Sequence, residues 1–273
     1  MQLKDIVQPV KIGKVENEYT LEGIESLFRL GVVAVFVGLH TMTKICVDFF
    51  SGLGGFSEAF LNRQGWKVIR FDYDRKFSHI PGTHIADIMK LQISDLRKLG
   101  VMKPDILLMS PPCECFSLMS VYHYWENGRP KNQKTREAIA LVQKALALKE
   151  LLQPDFWLIE NPNGMMVKVL GKPNRYTWWG SWYSNRDLVM MKLRSSGIVL
   201  PPMKPTSLWG IFPDIEWRPK PKKGTYQEAR RGAKSGIQNS KLRPEEKSCI
   251  PYDFSKALVE GIENSTTIQK TIF

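Results

Sequence analysis

From Thr43 onward the chain alternates short apolar runs with stretches whose apolar residues recur at helical spacing. Residues 44–49 (KICVDF) predict a strand, followed by a glycine-rich turn and a helix over 56–64. Residues 67–71 (KVIRF) predict a second strand, ending in the acidic pair Asp72 and Asp74. A short helix follows at 95–99, then a buried strand at 105–109 (DILLM) that runs into Ser110-Pro111-Pro112-Cys113. Residues 135–152 read as a long helix, and 156–159 (FWLI) as a buried strand ending at Glu160-Asn161-Pro162. Such alternation predicts an α/β fold with a doubly wound, mostly parallel sheet. Ligands of such sheets bind at the carboxyl ends of the strands, where Asp48, Asp72, Cys113 and Glu160 each fall.

After Asn163 the texture changes. Prolines become frequent, and Trp178, Trp179, Trp182, Trp209 and Trp217 appear with a basic run, RPKPKK at 218–223, and then Arg230-Arg231. This predicts a small irregular or β-rich subdomain with a basic loop. Residues 250–262 predict a proline-initiated helix that returns to the first domain. The expected organisation is an N-terminal extension over 1–42, a catalytic domain over 43–165, a recognition region over 166–247 and a returning helix over 248–273.

Composition narrows the class. The chain has 273 residues, 43% hydrophobic and 24% charged, which excludes disordered, collagenous and disulfide-scaffold proteins. A net charge of +12 favours a polyanionic partner, nucleic acid before membrane. The apolar stretch at 31–39 is about half the ~20 residues of a bilayer span, so no membrane association is expected. Cys46, Cys113, Cys115 and Cys249 match no disulfide framework, and no signal peptide is evident, so a reducing cytoplasm is expected. Cys113 and Cys115 form C-x-C without a paired histidine, so no metal is expected.

Three segments carry chemistry. Asp48-Phe49-Phe50-Ser51-Gly52-Leu53-Gly54-Gly55 is a strand-to-helix turn through which a ligand can approach backbone and helix N-terminus. A tight turn without a ligand would use the same glycines. Asp72 at the next strand end is placed to accept from ribose hydroxyls, and Tyr73 to cover an adenine face. In Ser110-Pro111-Pro112-Cys113 two prolines fix the backbone entering the cysteine, a frame suited to a presented nucleophile rather than to a buried hydrophobe. Cys115 lacks that frame and reads as structural. Glu160, after an apolar run, stands where desolvation raises a carboxyl pKa and suits a general acid.

The motifs DFFSGLGG, PPC-x-x-FS and IENP, in that order over roughly residues 44–165, resemble those of the cytosine-5 DNA methyltransferases. The resemblance implies a Rossmann-like fold and S-adenosylmethionine (AdoMet) as methyl donor. Asp48 and the turn Phe49, Phe50, Ser51, Gly52, Leu53, Gly54 and Gly55 would bind it, with Asp72 on the ribose and Tyr73 on the adenine. Asp87, Ile88, Pro111 and Ser248 complete the implied cofactor site. Cys113 matches the family's nucleophile, and Glu160 the glutamate that binds the target cytosine, which must be flipped out of the duplex. Residues 117–136 then read as a mobile loop closing over the base, with Ser117, Arg129, Lys131, Lys134 and Arg136 as nucleic-acid contacts. Arg194, Lys204, Thr206, Lys220, Lys222, Lys223, Arg230 and Arg231 are further expected contacts. Trp178, Trp179 and Trp182 would either stack on bases or fill a core.

The chain departs from the family pattern at Pro162, where valine is usual, and at Lys247-Ser248, a remnant of the Gly-Asn-Ser element. The Gln-x-Arg-x-Arg element is also missing, with Arg194 as a weak candidate for it. Double-stranded DNA bound by a monomer is the expected partnership. The alternatives are the same chemistry on RNA, transfer of another group from a modified AdoMet, and a catalytically silent DNA-binding protein.

Overall fold

A computed structural model describes residues 43–195, 197–198, 200–226 and 242–271, with side chains as far as residue 265. Residues 1–42, including the apolar stretch at 31–39, and the contacts expected at Arg230 and Arg231 lie outside the described residues. Thr43–Phe273 form one compact unit.

Its strands are β1 (Lys44–Phe49), β2 (Trp66–Asp72), β3 (Thr83–Ile85), β4 (Ile106–Met109), a two-residue hairpin β5 (Trp125–Glu126) and β6 (Arg129–Pro130), then β7 (Phe156–Pro162), β8 (Arg175–Trp178) and β9 (Pro205–Ile211). Its helices are α1 (Glu58–Leu61), α2 (Ile93–Lys98), α3 (Val121–Tyr124), α4 (Gln133–Leu152), α5 (Val167–Leu170), α6 (Leu188–Ser195), α7 (Pro244–Ser248) and α8 (Tyr252–Thr271). The seven-stranded sheet runs β3-β2-β1-β4-β7-β9-β8. Strands β3, β2, β1, β4 and β7 are parallel, and β9 is antiparallel to both its neighbours. The order reverses at β1, where crossovers leave in both directions, so the crevice of the fold opens at the carboxyl ends of β1 and β4.

Both faces are covered, as a parallel sheet requires. In β4, Leu107 and Met109 point to the side of α2 and α4, where they meet Val142, Ala145 and Leu148. Ile106 and Leu108 point to the side of α8. There Phe254 sits among Phe56, Trp179, Trp182 and Trp217 with ring centroids 5.0–6.2 Å apart. Trp179 and Trp182 are therefore core residues and present no surface for bases to stack on. The helix expected over 56–64 is a single 3-10 turn, Gly55–Ser57, continued by the four residues of α1.

The expected separate β-rich region is corrected by the sheet order. β8 and β9 are strands of the central sheet, with register pairs such as Glu160↔Leu208 and Thr177↔Thr206. Residues 206–209 are buried on both faces, which erases the polar–apolar alternation that marks a half-exposed strand. Gly210 has φ 146°, and a Cβ there would collide with the Trp157 carbonyl. Gly210→Ala should lower stability by more than about 2 kcal/mol through this clash with backbone. Urea unfolding followed by circular dichroism would measure it, and an unchanged midpoint would refute the close approach.

Candidate active site

The turn after β1 is built around buried polar groups. Asp48 is fully buried, and its Oδ2 accepts from Ser57 Oγ at 2.6 Å. Ser57 Oγ in turn accepts from Arg70 Nε at 2.8 Å. The same buried guanidinium donates to the Gly54 carbonyl at 3.0 Å and the Pro81 carbonyl at 2.8 Å. Gly54 has φ 78°, and a Cβ on it would lie 2.7 Å from Arg70 Cζ, so this position requires glycine on both counts. Phe50, with φ 62°, takes the same left-handed conformation without being glycine. Asp72 closes the turn from β2, accepting from Gly52 N at 2.9 Å and from Asp74 N at 3.0 Å.

Two buried polar atoms of this turn, Asp48 Oδ1 and Ser51 Oγ, have no hydrogen-bond partner. Burial, only partly offset by Ser57 and Arg70, pushes the Asp48 carboxyl up to about 7.

Cys113 follows β4 through the two prolines, and its carbonyl accepts from Phe116 N and Ser117 N, which starts a tight turn. The neighbouring strand end fixes this segment. Asn161 Nδ2 donates to the Pro111 carbonyl at 3.0 Å, and Met165 N to the Phe116 carbonyl at 2.7 Å. Gly164 lies so close that a Cβ would overlap the Phe116 carbonyl, which accounts for glycine after Glu160-Asn161-Pro162-Asn163. Cys113 and Glu160 thus open on one cavity of about 810 Å³, whose wall also includes Asp48, Ser51, Gly52 and Pro111. Glu160 is 7% exposed and Cys113 is half-buried.

Burial raises the Cys113 thiol, and the Glu160 charge raises it further. Burial also raises the Glu160 carboxyl, with Lys204 opposing. Trp179 Nε1 and Ser110 Oγ flank that carboxyl without forming hydrogen bonds of ordinary geometry.

Other expected residues are distributed unevenly. Ser248 reaches the cavity wall beside Lys247, Cys249 and Ile250. A Cβ on Gly55 would lie 2.6 Å from Cys249 Sγ, so this returning segment is seated on the glycine turn. Tyr73 is exposed at the end of β2, Asp87 is exposed with its carboxylate on Met89 N, and Ile88 is a core residue; none of the three lines the cavity. Cys115 is buried, and its carbonyl accepts from Trp125 Nε1.

In the segment after Cys113, Ser117, Leu118 and Met119 line the cavity, and Leu118, Met119 and Tyr122 are exposed. Arg129, Lys131, Lys220, Lys222 and Lys223 are exposed. Exposed Arg136 bonds Gln133 within α4, and Lys134 is ion-paired with Glu114 at 2.7 Å, so that charge already has a partner in the chain. Arg218, from the basic run, is likewise engaged with Asp253 at 3.0 Å.

One expectation is corrected by placement, and two others are located. Thr206 is fully buried with its hydroxyl on the Lys204 carbonyl, so it offers nothing to a duplex. Arg194 is exposed on α6 and outside the cavity wall. Lys204, expected among the nucleic-acid contacts, lines the cavity of Cys113 and Glu160. The sequence reading also missed Arg70, whose signal was a lone charge inside the apolar run KVIRF.

The family model for C-5 cytosine-specific DNA methylase matches residues 45–175. This segment is similar to that family. It holds the glycine turn, Cys113 and Glu160. Over 143 residues the chain is 27% identical to the Type II methyltransferase M1.HphI of Haemophilus parahaemolyticus, covering 49% of this chain and 36% of that protein. A Frog virus 3 (isolate Goorha) protein named "Probable DNA (cytosine-5)-methyltransferase" is 23% identical over 126 residues, 45% of this chain and 55% of its own. The chain thus spans between a third and somewhat over half of the curated relatives it matches. Among solved structures, the Entamoeba histolytica methyltransferase EhMeth superposes with a TM-score of 0.37 at 14% identity, covering 67% of this chain and 58% of that one.

The Asp48 carboxyl binds its proton more tightly folded than unfolded, because its pKa rises from 3.8 to about 7. Its contribution to stability is fully present below about pH 4 and is lost as pH rises through 7, by at most about 1.4 kcal/mol per pH unit. Asp48→Asn should therefore gain on the intact protein by more than about 1 kcal/mol between pH 5 and pH 7 in urea unfolding. An equal difference at both pH values would show that the carboxyl titrates normally.

Proposed function

We propose that this chain is a DNA (cytosine-5)-methyltransferase that uses AdoMet and acts on a cytosine flipped out of double-stranded DNA. The observation that carries the reading is the convergence of Cys113 and Glu160, from the neighbouring strand ends of β4 and β7, on the cavity lined by the glycine turn. The family match over residues 45–175 supports the same chemistry.

The turn suits the cofactor. Asp48 and Ser51, whose Oδ1 and Oγ have no partner, line the cavity and would accept from and donate to its polar groups, while Asp72 and Tyr73, outside the cavity wall at the end of β2, would be its ribose and adenine contacts as the family resemblance implies. When bound, AdoMet supplies an electrophilic methyl group. Cytosine C5 is too weak a nucleophile to take that group unaided. The Cys113 sulfur forms a bond to C6 while the C5=C6 π pair moves to C5, making C5 enamine-like. Glu160 hydrogen-bonds N3 of the ring, and its burial favours the protonated carboxyl that can donate there and offset charge developing on the base. After methylation, loss of the C5 proton to solvent restores the C5=C6 bond and expels the Cys113 sulfur as thiolate. Flipping the base costs a few kcal/mol of stacking, repaid by contacts within the cavity. The exposed residues Leu118 and Met119 stand at its edge, on the segment that would close over the base.

Mass spectrometry of nucleosides from unmethylated DNA incubated with the protein and AdoMet tests this reading. It should detect 5-methylcytosine with the intact chain and at least about a thousandfold less with Cys113→Ala. Product formed equally by Cys113→Ala would remove the covalent mechanism. Product on RNA alone, or none on either polymer, would remove the DNA assignment.

A further inference from the structure

Lys204 immediately precedes β9 and lies in the wall of the cavity that Cys113 and Glu160 share. Its backbone has φ 40°, the left-handed region that non-glycine residues occupy rarely and at a cost. That conformation is held in place. The Lys204 carbonyl accepts from Trp179 N at 3.2 Å and from Thr206 Oγ1 at 3.3 Å, and the next residue is registered against Trp178 by the β8–β9 pairing. The ammonium donates to the Lys247 carbonyl at 2.7 Å, which uses one of its three protons. Among the described residues it makes no ion pair within 4.0 Å, whereas Lys76, Lys134 and Lys192 do. Burial lowers the Lys204 ammonium pKa, and the Glu160 and Cys113 charges oppose that, so a strained lysine without a carboxylate partner at contact distance is costly unless its charge serves the cavity it lines.

The charged and titratable groups around it are few. Glu160 on β7, Cys113 after β4 and Cys249 before α8 face Lys204. Cys113 is faced by Glu160, by Lys204 and by its neighbour Glu114, whose charge is already matched by Lys134. Lys204 is thus the cation opposing the joint effect of burial and Glu160 on the thiol.

We propose that Lys204 is the electrostatic positioning residue of this site, its ammonium favouring the Cys113 thiolate against the opposing effects of burial and Glu160. The thiolate, not the thiol, adds to C6. A lysine held by the β8–β9 junction therefore does work that no arginine of the described residues is placed to do in this cavity wall. The inference deepens the methyltransferase reading and rests on it for its purpose, but its test reads the sulfur directly and needs neither DNA nor AdoMet.

The rate of Cys113 alkylation by iodoacetamide, resolved from the other three cysteines by peptide mass spectrometry, is measured against pH on the full chain. Lys204→Met should move the midpoint up by about one pH unit, and Lys204→Arg should leave it within about 0.3. An unmoved midpoint in Lys204→Met, or an equal shift in both variants, would overturn the proposal. In the Glu160→Gln background, where that side chain can carry no charge, Lys204→Met should still raise the Cys113 midpoint by about one pH unit, and an unmoved midpoint there overturns the proposal. A shifted midpoint with no methylation of any nucleic acid would instead retain the role of Lys204 and remove the proposed function.

Discussion

A guanidinium buried in a parallel sheet needs its donors satisfied, and Arg70 meets that requirement by gathering the pieces of the glycine turn around itself. Through Ser57 it reaches Asp48 at the end of β1, through Gly54 it holds the turn, and through Pro81 it ties the approach to β3. Removing any acceptor would strand a buried donor, so the geometry is set by the cost of the alternatives. The glycines follow from this, since Gly54 must stand aside for the guanidinium and Gly55 for Cys249. The pocket floor is thus defined by an ion in the sheet rather than by the loop's own preferences.

The same logic of mutual fixation holds at the reacting end. Asn161 secures the proline frame of Cys113, and Gly164 lets the backbone of one strand end lie on the other. Sulfur and carboxyl are held on a knitted pair of segments, which suits chemistry that tolerates little misplacement. Burial then pushes both groups toward their neutral forms, which favours Glu160 as a donor and leaves Cys113 in need of a cation.

Local pattern was enough to read β1, β2, β4, α4 and β7 from sequence, because each is a run of apolar residues with clear punctuation. The glycine turn, Cys113 and Glu160 were legible for the same reason: they sit at the ends of those runs. What escaped was non-local. Residues 205–211 show no alternation because both faces are covered, so their membership of the central sheet depended on partners elsewhere in the chain. Lys204 looked like a surface cation in a proline-rich stretch, and only the β8–β9 pairing turns it inward. The tryptophans were ambiguous between stacking platform and core until Phe254, more than seventy residues on, occupied the space between Trp179 and Trp182.

The position of β9 also has a temporal side. Among the described residues β8 has no hydrogen-bonding neighbour in the sheet except β9, which is made later and enters between β7 and β8. During synthesis, at roughly 5–20 residues per second, β8 must wait unpaired for seconds while about thirty residues emerge. The nascent sheet therefore passes through a stage with β7 as its open edge, a hazard for misassociation. The cavity wall is completed only when that edge is sealed by the chain's own later strand.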